Sequence, residues 1–438
     1  MRSPNQFSLL GQRRFAPFFW TQFLGAGNDN LFKFAVTVLV TYQLSVDWLP
    51  TQLAGLVIGA LFILPFLLLS ATSGQIADKF DLARIMRWVK NLEIGIMALA
   101  AVGLLSGQVV VLLACIFLMG THSALFGPAK FAYLPQVLDE NELTGGNGMV
   151  EMGTFVSILL GNVAGGLLIS VPNIGATLTC MACLGLAVLG RVCAGFVPSH
   201  KASDARLQIN WNPLSETWRN LMLARQDLVV FRSLLGISWM WFFGAVFLSQ
   251  FPSFAKDSLH GDAQVASLML VVFSLGVGLG ALCCERLSGQ QLEIGLVPLG
   301  ALGMSVFAVD VYFSTHALPA VALMGVSEFL SQTQHWRVLL DLFLLSLSVG
   351  IFSVPMYALI QSRSLATHRA RIIAANNILN ALFMIASALI AGAMLSAGLS
   401  TPEVFLWLGL ANAVVSAAVF ACVPDYLIRC KAWLTTWG

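Results

Sequence analysis

The stretch TQLAGLVIGALFILPFLLLS, residues 51–70, decides the fold class of this protein. It carries no charged side chain, and its apolar residues do not alternate with polar ones as they would along a strand of a membrane barrel. A helix of about 20 residues rises about 30 Å, which matches the hydrocarbon core of a bilayer. The stretch therefore predicts a membrane-spanning α-helix.

Similar segments recur along the whole chain. The 438 residues are 58% hydrophobic and 10% charged, and the mean hydropathy is +0.83, whereas a soluble domain carries roughly 25% charged residues. We therefore predict an all-α membrane protein with twelve transmembrane helices and short loops. The spans are predicted at residues 15–44, 50–70, 85–105, 109–128, 147–170, 175–197, 228–253, 263–284, 292–313, 337–361, 372–397 and 403–428.

Lysine and arginine are concentrated in one set of connecting loops. The opposite loops offer only Lys256 and Arg337. Because cytoplasmic loops carry the excess of these residues, we expect both termini in the cytoplasm. The longest cytoplasmic connection divides the chain into a six-helix half at 1–197, a linker at 198–227 and a second six-helix half at 228–438.

The two halves share a weak sequence repeat. GNGMVEMGTF opens the fifth span from Gly146, and ANNILNALF opens the eleventh from Ala375. Superposing the two segments places Asn147 on Asn376. A parallel repeat of six spans against six is the arrangement of the major facilitator transporters, which the sequence resembles in this respect.

The linker contains a candidate interfacial helix, NWNPLSETWRNLMLARQDL, at residues 210–228. Asn212 is a natural N-cap, and Pro213 suits the first helical position. Trp211 and Trp218 fall roughly on one face, as a helix lying in the plane of the membrane surface requires. A helical linker without membrane contact is the alternative.

The first span carries a polar cluster in GAGNDNLFKF, residues 25–34. Asp29 lies near the expected midplane of the bilayer, flanked by Asn28 and Asn30. A charged side chain there costs about 2.5–3.5 kcal/mol on insertion scales, so it indicates a functional group. Lys33 is four residues further on and can pair with Asp29. The alternative is an ion pair that only ties the first span to its neighbours.

Lys130 follows Pro128 at the predicted end of the fourth span. Proline removes a helix hydrogen bond, so we expect the chain to bend at this point. Lys130 is then either a basic flank that helps to set the orientation or a cation that faces a phosphate headgroup.

Three further ionisable groups fall within spans. Glu151 is expected near the cytoplasmic mouth, and Glu93 can pair with Lys90 nearby. His122 has no carboxylate neighbour in the sequence, so we expect a core histidine rather than a proton-coupling site.

The loop after the second span resembles a motif of the major facilitator superfamily. Gly74, Asp78, Lys79 and Arg84 match part of its pattern, although Asp81 replaces a glycine. In that superfamily the aspartate meets a facing helix end and the basic residues hold the cytoplasmic side closed. The resemblance implies a gating role for Asp78, Lys79 and Arg84.

Several function classes receive no support from the sequence. The net charge of +2 does not favour a nucleic-acid partner. No glycine-rich loop followed by Lys-Ser/Thr is present, which disfavours ATP-driven pumping. Cys180 and Cys183 have metal-like spacing but sit in an apolar helix without a second pair, so we expect no metal site and no cofactor.

The most specific stretch is GTHSALFGPAKFAYLPQVLDENELTGGNGMVEMGTF, residues 120–155. It resembles the signature region of the bacterial lysophospholipid transporter family, and residues 25–34 and 369–383 agree with it. The resemblance implies transport of lysophosphatidylethanolamine and related lipids from the outer to the inner leaflet of the inner membrane. It also implies functional roles for Asp29 and Lys130, whereas the arginine of the seventh span in that family has no clear counterpart near Gln250.

These observations define the candidate site. The candidates for substrate binding are Asp29, Asn30, Lys33, Lys130, Glu151, Asn376 and Asn377. The expected partners are the lysophospholipid, membrane lipids and a separate cytoplasmic acyltransferase/acyl-ACP synthetase, because no fused enzyme follows residue 438. Two alternatives remain: a proton-coupled exporter of amphipathic drugs, in which Asp29 or Glu151 would cycle a proton, and an integral-membrane acyltransferase. The second would need a histidine paired with Asp or Asn, and we expect no enzyme.

Overall fold

The computed structural model describes residues 5–44, 48–49, 51–316 and 323–437. Within these ranges the regular structure is helical, and Gly261 and Met324 form an isolated β bridge. The predicted all-α class is confirmed.

Fifteen α-helices are found in the described ranges. They are α1 (Ala16–Val38), α2 (Thr51–Lys79), α3 (Leu82–Ser106), α4 (Val109–Val137), α5 (Glu140–Ile169), α6 (Gly175–Gly195), α7 (Pro213–Ala224), α8 (Leu228–Ser253), α9 (Ala263–Leu287), α10 (Leu296–His316), α11 (Val326–Ser331), α12 (Gln334–Arg363), α13 (Arg369–Ser396), α14 (Thr401–Cys422) and α15 (Asp425–Trp437). A 3-10 helix at Gln6–Gly11 precedes α1, and π turns at Leu39–Gln43 and Phe254–Ser258 extend α1 and α8.

Eleven of these helices are long and apolar enough to cross a membrane by length and composition. The first predicted span is not among them, because the polar cluster around Asp29 lowers the mean hydropathy of α1. At 23 residues, α1 is still about 34 Å long, which is enough for one crossing. It completes the set of twelve.

Several spans run further than the sequence predicts. The predicted span 50–70 begins at a residue outside the described ranges, and α2 continues to Lys79. The helix that carries the predicted fourth span does not end at residue 128, because α4 passes through Pro128 and Pro135 to Val137. Proline is tolerated inside membrane helices, where neighbouring helices satisfy the freed backbone groups.

The linker helix α7 begins as predicted. The side chain of Asn212 accepts hydrogen bonds from the backbone N–H groups of Leu214 and Ser215. Trp211, Leu214 and Trp218 are exposed, whereas Glu216 and Asn220 are buried. The helix therefore turns its apolar face outward, as an interfacial helix does.

The chain forms two compact units. The first comprises Met1–Asp139, Val156–Asp227 and Gln361–Ala381, and the second comprises Glu140–Phe155, Leu228–Ile360 and Leu382–Gly438. Helices α5 and α13 therefore each contribute to both units. The division of the chain into two six-helix halves, at 1–197 and 228–438, stays a prediction.

The first unit has a continuous apolar core built by α1 to α4 and α6, with the end of α5 contributing Ile169. Helix α5 approaches α1 very closely through glycines. A Cβ atom on Gly161 would lie 2.4 Å from the carbonyl oxygen of Gly27, and one on Gly165 would lie 2.4 Å from that of Leu31. Small residues let two membrane helices meet backbone to backbone, and this contact holds the polar segment of α1 in place.

Candidate functional site

The polar segment of α1 sends three side chains in three directions. Because an α-helix has 3.6 residues per turn, successive side chains point about 100° apart. Asn28 donates to Glu93 Oε1 of α3 at 2.7 Å, and the amide of Asn30 donates to the carbonyl oxygen of Ala26 at 2.8 Å. Asp29 points between them, toward α4.

Asp29 is held by two neighbouring residues of α4. The Ser123 hydroxyl donates to Asp29 Oδ2 at 2.5 Å, and His122 Nδ1 lies 3.8 Å from Asp29 Oδ1. The aspartate is 8% exposed, and its Oδ1 atom has no hydrogen-bond partner. One carboxylate oxygen is thus anchored, while the other retains free lone pairs.

Glu93 joins three helices. Lys90 Nζ donates to Glu93 Oε2 at 2.6 Å, so the predicted pairing of these two residues is confirmed. His122 Nε2 lies 3.2 Å from the same Oε2 atom. Asn28 occupies Oε1. The Glu93 side chain is fully buried, so each of these contacts forms away from water.

The surroundings of His122 differ more from the prediction than those of any other candidate residue. The expectation that it has no carboxylate neighbour is wrong, because it lies between Glu93 and Asp29 and is 2% exposed. The contacts come from α1 and α3, which are distant from α4 in the sequence. No sequence signal at His122 itself could have revealed them, although the Lys90–Glu93 spacing on α3 pointed to a buried charge pair.

The predicted ion pair between Asp29 and Lys33 does not form. Lys33 Nζ instead lies 4.8 Å from the centre of the Phe62 ring of α2. The two α4 donors, Ser123 and His122, turn the Asp29 carboxylate away from Lys33. A cation over an aromatic face is a favourable contact in its own right.

The remaining substrate-binding candidates are spread over α4, α5 and α13. Lys130 is half-buried on α4, within the helix and not after it. Glu151 is buried in the part of α5 that belongs to the second unit. On α13, Asn376 Oδ1 and Asn377 Nδ2 are buried atoms without a hydrogen-bond partner.

Helices α4 and α13 meet at a glycine. A Cβ atom on Gly127 would lie 2.6 Å from Asn377 Nδ2, so the amide of Asn377 occupies the space that a side chain would need. Lys130 is one turn beyond Gly127 on the same helix face. Both lie in the first compact unit with the start of α13.

The loop motif also reaches α13. Asp78 accepts from the backbone N–H of Ala370 at 3.1 Å and from Arg371 Nε at 2.9 Å. A Cβ on Gly74 would lie 2.6 Å from the Cβ of Ala374, so only glycine fits there. A carboxylate at a helix N-terminus is favoured by the unpaired N–H groups and the helix dipole.

The other predicted gating residues contribute less to this contact. Arg84 is exposed and takes part in no ion pair that the described residues show, and Lys79 Nζ lies 5.9 Å from the centre of the Phe80 ring. Arg371, which the sequence analysis did not single out, is the basic partner of Asp78 and is 4% exposed. Asp81 caps α3 by accepting from the Ala83 N–H. A gating role for these residues remains a prediction.

No group of three His, Cys, Asp or Glu side chains that could hold a metal ion occurs in the part of the chain that the structure describes.

The fold and the buried charges define a class of protein. Twelve membrane-length helices with ionisable groups held between them are features of a secondary transporter. The sequence model of the Major Facilitator Superfamily matches residues 18–388, and the chain belongs to that family. It is a multi-pass membrane protein and a transporter, not an enzyme.

Characterised relatives and solved structures agree with this assignment. The "Lysophospholipid transporter LplT" of Yersinia pestis (strain Pestoides F) is 28% identical over 351 residues, covering 78% of this chain and 77% of the relative. The same figures hold for the LplT of Yersinia pseudotuberculosis serotype O:3 (strain YPIII).

The structural neighbours show the fold. The human organic anion transporter MFSD10 (TETRAN) superposes with a TM-score of 0.72 at 13% identity, covering 94% of this chain and all of that one. The E. coli fucose:proton symporter FucP (N162A) superposes with a TM-score of 0.68 at 12% identity, covering 94% and 98%. The predicted twelve-helix major facilitator fold is confirmed.

Proposed function

We propose that this transporter carries lysophospholipids such as lysophosphatidylethanolamine across the inner membrane of a bacterium. The observation that carries the proposal is the buried Asp29, which keeps one carboxylate oxygen without a hydrogen-bond partner next to a fixed charge network. A buried anion with an unused oxygen is the group that an ammonium headgroup requires. The similarity to the LplT relatives supports the same substrate class.

The remaining parts of such a lipid have suitable counterparts. Lys130 offers a cation for the phosphate, and Asn377 offers a buried amide donor without a hydrogen-bond partner on the facing helix. The acyl chain needs an apolar surface, which the helices of this chain supply throughout. Asn30, Lys33, Glu151 and Asn376 complete the proposed set of substrate-binding residues.

We infer that the transport runs from the outer to the inner leaflet by alternating access, with both termini in the cytoplasm. A lysophospholipid delivered to the inner leaflet lacks one acyl chain. Its use in the membrane therefore requires an acyl transfer, for which a separate cytoplasmic acyltransferase/acyl-ACP synthetase is the proposed partner.

Uptake of radiolabelled lysophosphatidylethanolamine by spheroplasts tests the proposal directly. The host must lack its own lysophospholipid transporter. We expect uptake with the wild-type protein and less than about a tenth of that rate with Asp29→Asn, because the substitution removes the charge that binds the amine, a loss of about 1.4 kcal/mol or more.

The matched control is Asp257→Asn, which neutralises an exposed aspartate of the second unit. We expect it to retain the wild-type rate. Both variants are checked for a monodisperse peak in detergent. If Asp29→Asn transports at the wild-type rate, Asp29 does not bind the substrate. If the wild-type protein exports amphipathic drugs and takes up no lysophospholipid, the drug-exporter alternative is correct.

A further inference from the structure

Lys33 and Asp29 stand one helical turn apart on α1, and each can form further hydrogen bonds. Lys33 is mostly buried, and its ammonium group lies over the Phe62 ring at 4.8 Å from the ring centre. Asp29 Oδ1 has no hydrogen-bond partner. The two side chains attract each other electrostatically but form no ion pair in the described structure. A cation and an anion are thus held close together on one helix.

The lysines and carboxylates around Asp29 balance in charge. Asp29 and Glu93 supply two negative charges, and Lys90 and Lys33 supply two positive charges. A ligand with a net charge would leave an excess charge between the helices, which is strongly unfavourable away from water. A zwitterionic ligand brings one charge of each sign, so the balance is kept.

Lys33 and Lys130 lie on opposite sides of Asp29 along the helices. Helices α1 and α4 run antiparallel, because the hydroxyl of Tyr133, near the end of α4, donates at 3.1 Å to the carbonyl oxygen of Arg14, just before the start of α1. Lys33 is one turn further along α1 than Asp29, a rise of about 6 Å. Lys130 is about 10 Å along α4 from the serine that binds Asp29, in the other direction.

We propose that Lys33 binds the phosphate of a lysophosphatidylethanolamine headgroup whose ammonium group binds Asp29 Oδ1, so that one helix binds both charges. The inference rests on the proposed function and deepens it, because it assigns a phosphate site that precedes Lys130. The ethanolamine bridge separates the two charges by a distance similar to one helical turn, about 5.4 Å. On binding, the Lys33 ammonium exchanges its contact with the Phe62 ring for a charge-assisted hydrogen bond to a phosphate oxygen.

The order of the two residues fits entry of the lipid from the outer leaflet. With the N terminus in the cytoplasm, α1 runs outward, so Lys33 lies nearer the outer face than Asp29. A lipid that enters headgroup first leads with its amine, and its phosphate and acyl chain follow. The amine then reaches Asp29 while the phosphate is at Lys33. Lys130, on the cytoplasmic side of Asp29, meets the phosphate later, as the lipid leaves.

Three radiolabelled probes of equal chain length test the two contacts separately. Lysophosphatidylethanolamine carries both charges, lysophosphatidylglycerol carries the phosphate without the amine, and a long-chain primary alkylamine carries the amine without the phosphate. Their affinities are measured by a scintillation proximity assay on the purified full-length protein in nanodiscs. We expect wild type to bind lysophosphatidylethanolamine most tightly, because this probe alone makes both contacts and adds no net charge.

The two substitutions should give crossed patterns. Lys33→Met should weaken the binding of both phospholipids about tenfold, since a charge-assisted hydrogen bond is lost, and should not weaken the binding of the alkylamine. Asp29→Asn should weaken the binding of lysophosphatidylethanolamine and the alkylamine, and not that of lysophosphatidylglycerol. Lys33→Arg keeps the charge and should bind lysophosphatidylethanolamine within about threefold of wild type.

The matched control is Lys256→Met, which removes an exposed lysine of the second unit and should bind all three probes as wild type does. Every variant must give a monodisperse peak. Equal binding of lysophosphatidylglycerol by wild type and Lys33→Met would overturn the inference, and so would an equal loss of alkylamine binding in Lys33→Met. A loss of lysophosphatidylglycerol binding in Lys130→Met alone would place the phosphate there and overturn it too. Wild-type protein that binds no lysophospholipid would overturn the proposed function, and the inference with it.

Discussion

Lys90 and Glu93 form the most deeply buried ion pair among the described residues. Replacing Lys90 alone and replacing both residues should therefore change the stability of the protein by very different amounts. Lys90→Ala leaves Glu93 as an uncompensated buried charge, which costs about 3–5 kcal/mol. The double variant Lys90→Met/Glu93→Gln removes both charges and should recover most of that loss. Thermal unfolding followed by size-exclusion chromatography measures both. Equal losses of stability in the single and double variants would show that the unpaired charge of Glu93 does not cause the loss.

The sequence identified some of these residues and missed others for a physical reason. Asp29 was recognisable because one charged residue in an apolar span is costly wherever it points. His122 was not recognisable as part of a charge cluster, because its partners are set by how α1, α3 and α4 face one another. The Asp29–Lys33 pair was predicted from spacing alone, and spacing cannot show that Ser123 offers a closer donor.

At the scale of helices, the start of α13 depends on Asp78. This carboxylate binds the Ala370 N–H and the Arg371 side chain together. Asp78→Asn should therefore loosen the first turn of α13 and slow transport. Hydrogen–deuterium exchange should become at least about tenfold faster for peptides that cover residues 368–374, since local opening sets the exchange rate.

The control for that experiment is Lys79→Gln, which changes the neighbouring motif residue without touching α13. It should leave the exchange of the same peptides unchanged. If Asp78→Asn also leaves it unchanged, the contact does not stabilise the helix start, and the loop only helps to orient the chain.

The crossing of α4 and α13 gives a second prediction at this scale. Gly127→Ala places a methyl group 2.6 Å from Asn377 Nδ2, which is closer than any unstrained contact. The atom it meets is the end of the Asn377 side chain, which can turn away, so we expect a loss of only about 1 kcal/mol from overpacking. Adding Asn377→Ala makes room without placing a glycine inside α13 and should restore stability, although transport should stay low if Asn377 binds the headgroup. Failure of the second substitution to rescue the thermal midpoint would show that the two residues do not compete for space.

For the whole molecule, the distribution of lysine and arginine predicts that both termini lie in the cytoplasm. Green fluorescent protein fused after residue 438 should therefore fluoresce, and alkaline phosphatase at the same place should be inactive. The same two reporters placed in the loop near Lys256 should show the opposite pattern. The prediction requires an odd number of crossings between the two positions. The same reporter result at both positions would therefore contradict it.

The architecture of the whole chain was largely predictable because long uncharged segments have few structural solutions in a membrane. The helix ends were less predictable. Hydropathy falls where a helix leaves the hydrocarbon, but hydrogen bonding continues, so α2 and α4 run on to Lys79 and Val137. The short helices α11 and α15 were missed because they are neither long nor apolar enough to give a hydropathy signal.

The unequal lengths of the membrane helices have a consequence for the surrounding lipid. Helix α6 has 21 residues and is about 32 Å long, whereas α4 has 29 residues and is about 44 Å long. A bilayer fits the shorter helix with little tilt, so the longer one extends about 12 Å beyond the hydrocarbon. With this overhang at the Val137 end of α4, Lys130 lies seven residues before the helix end and close to the edge of the hydrocarbon. We expect a lipid to meet it there by lateral diffusion without leaving the membrane.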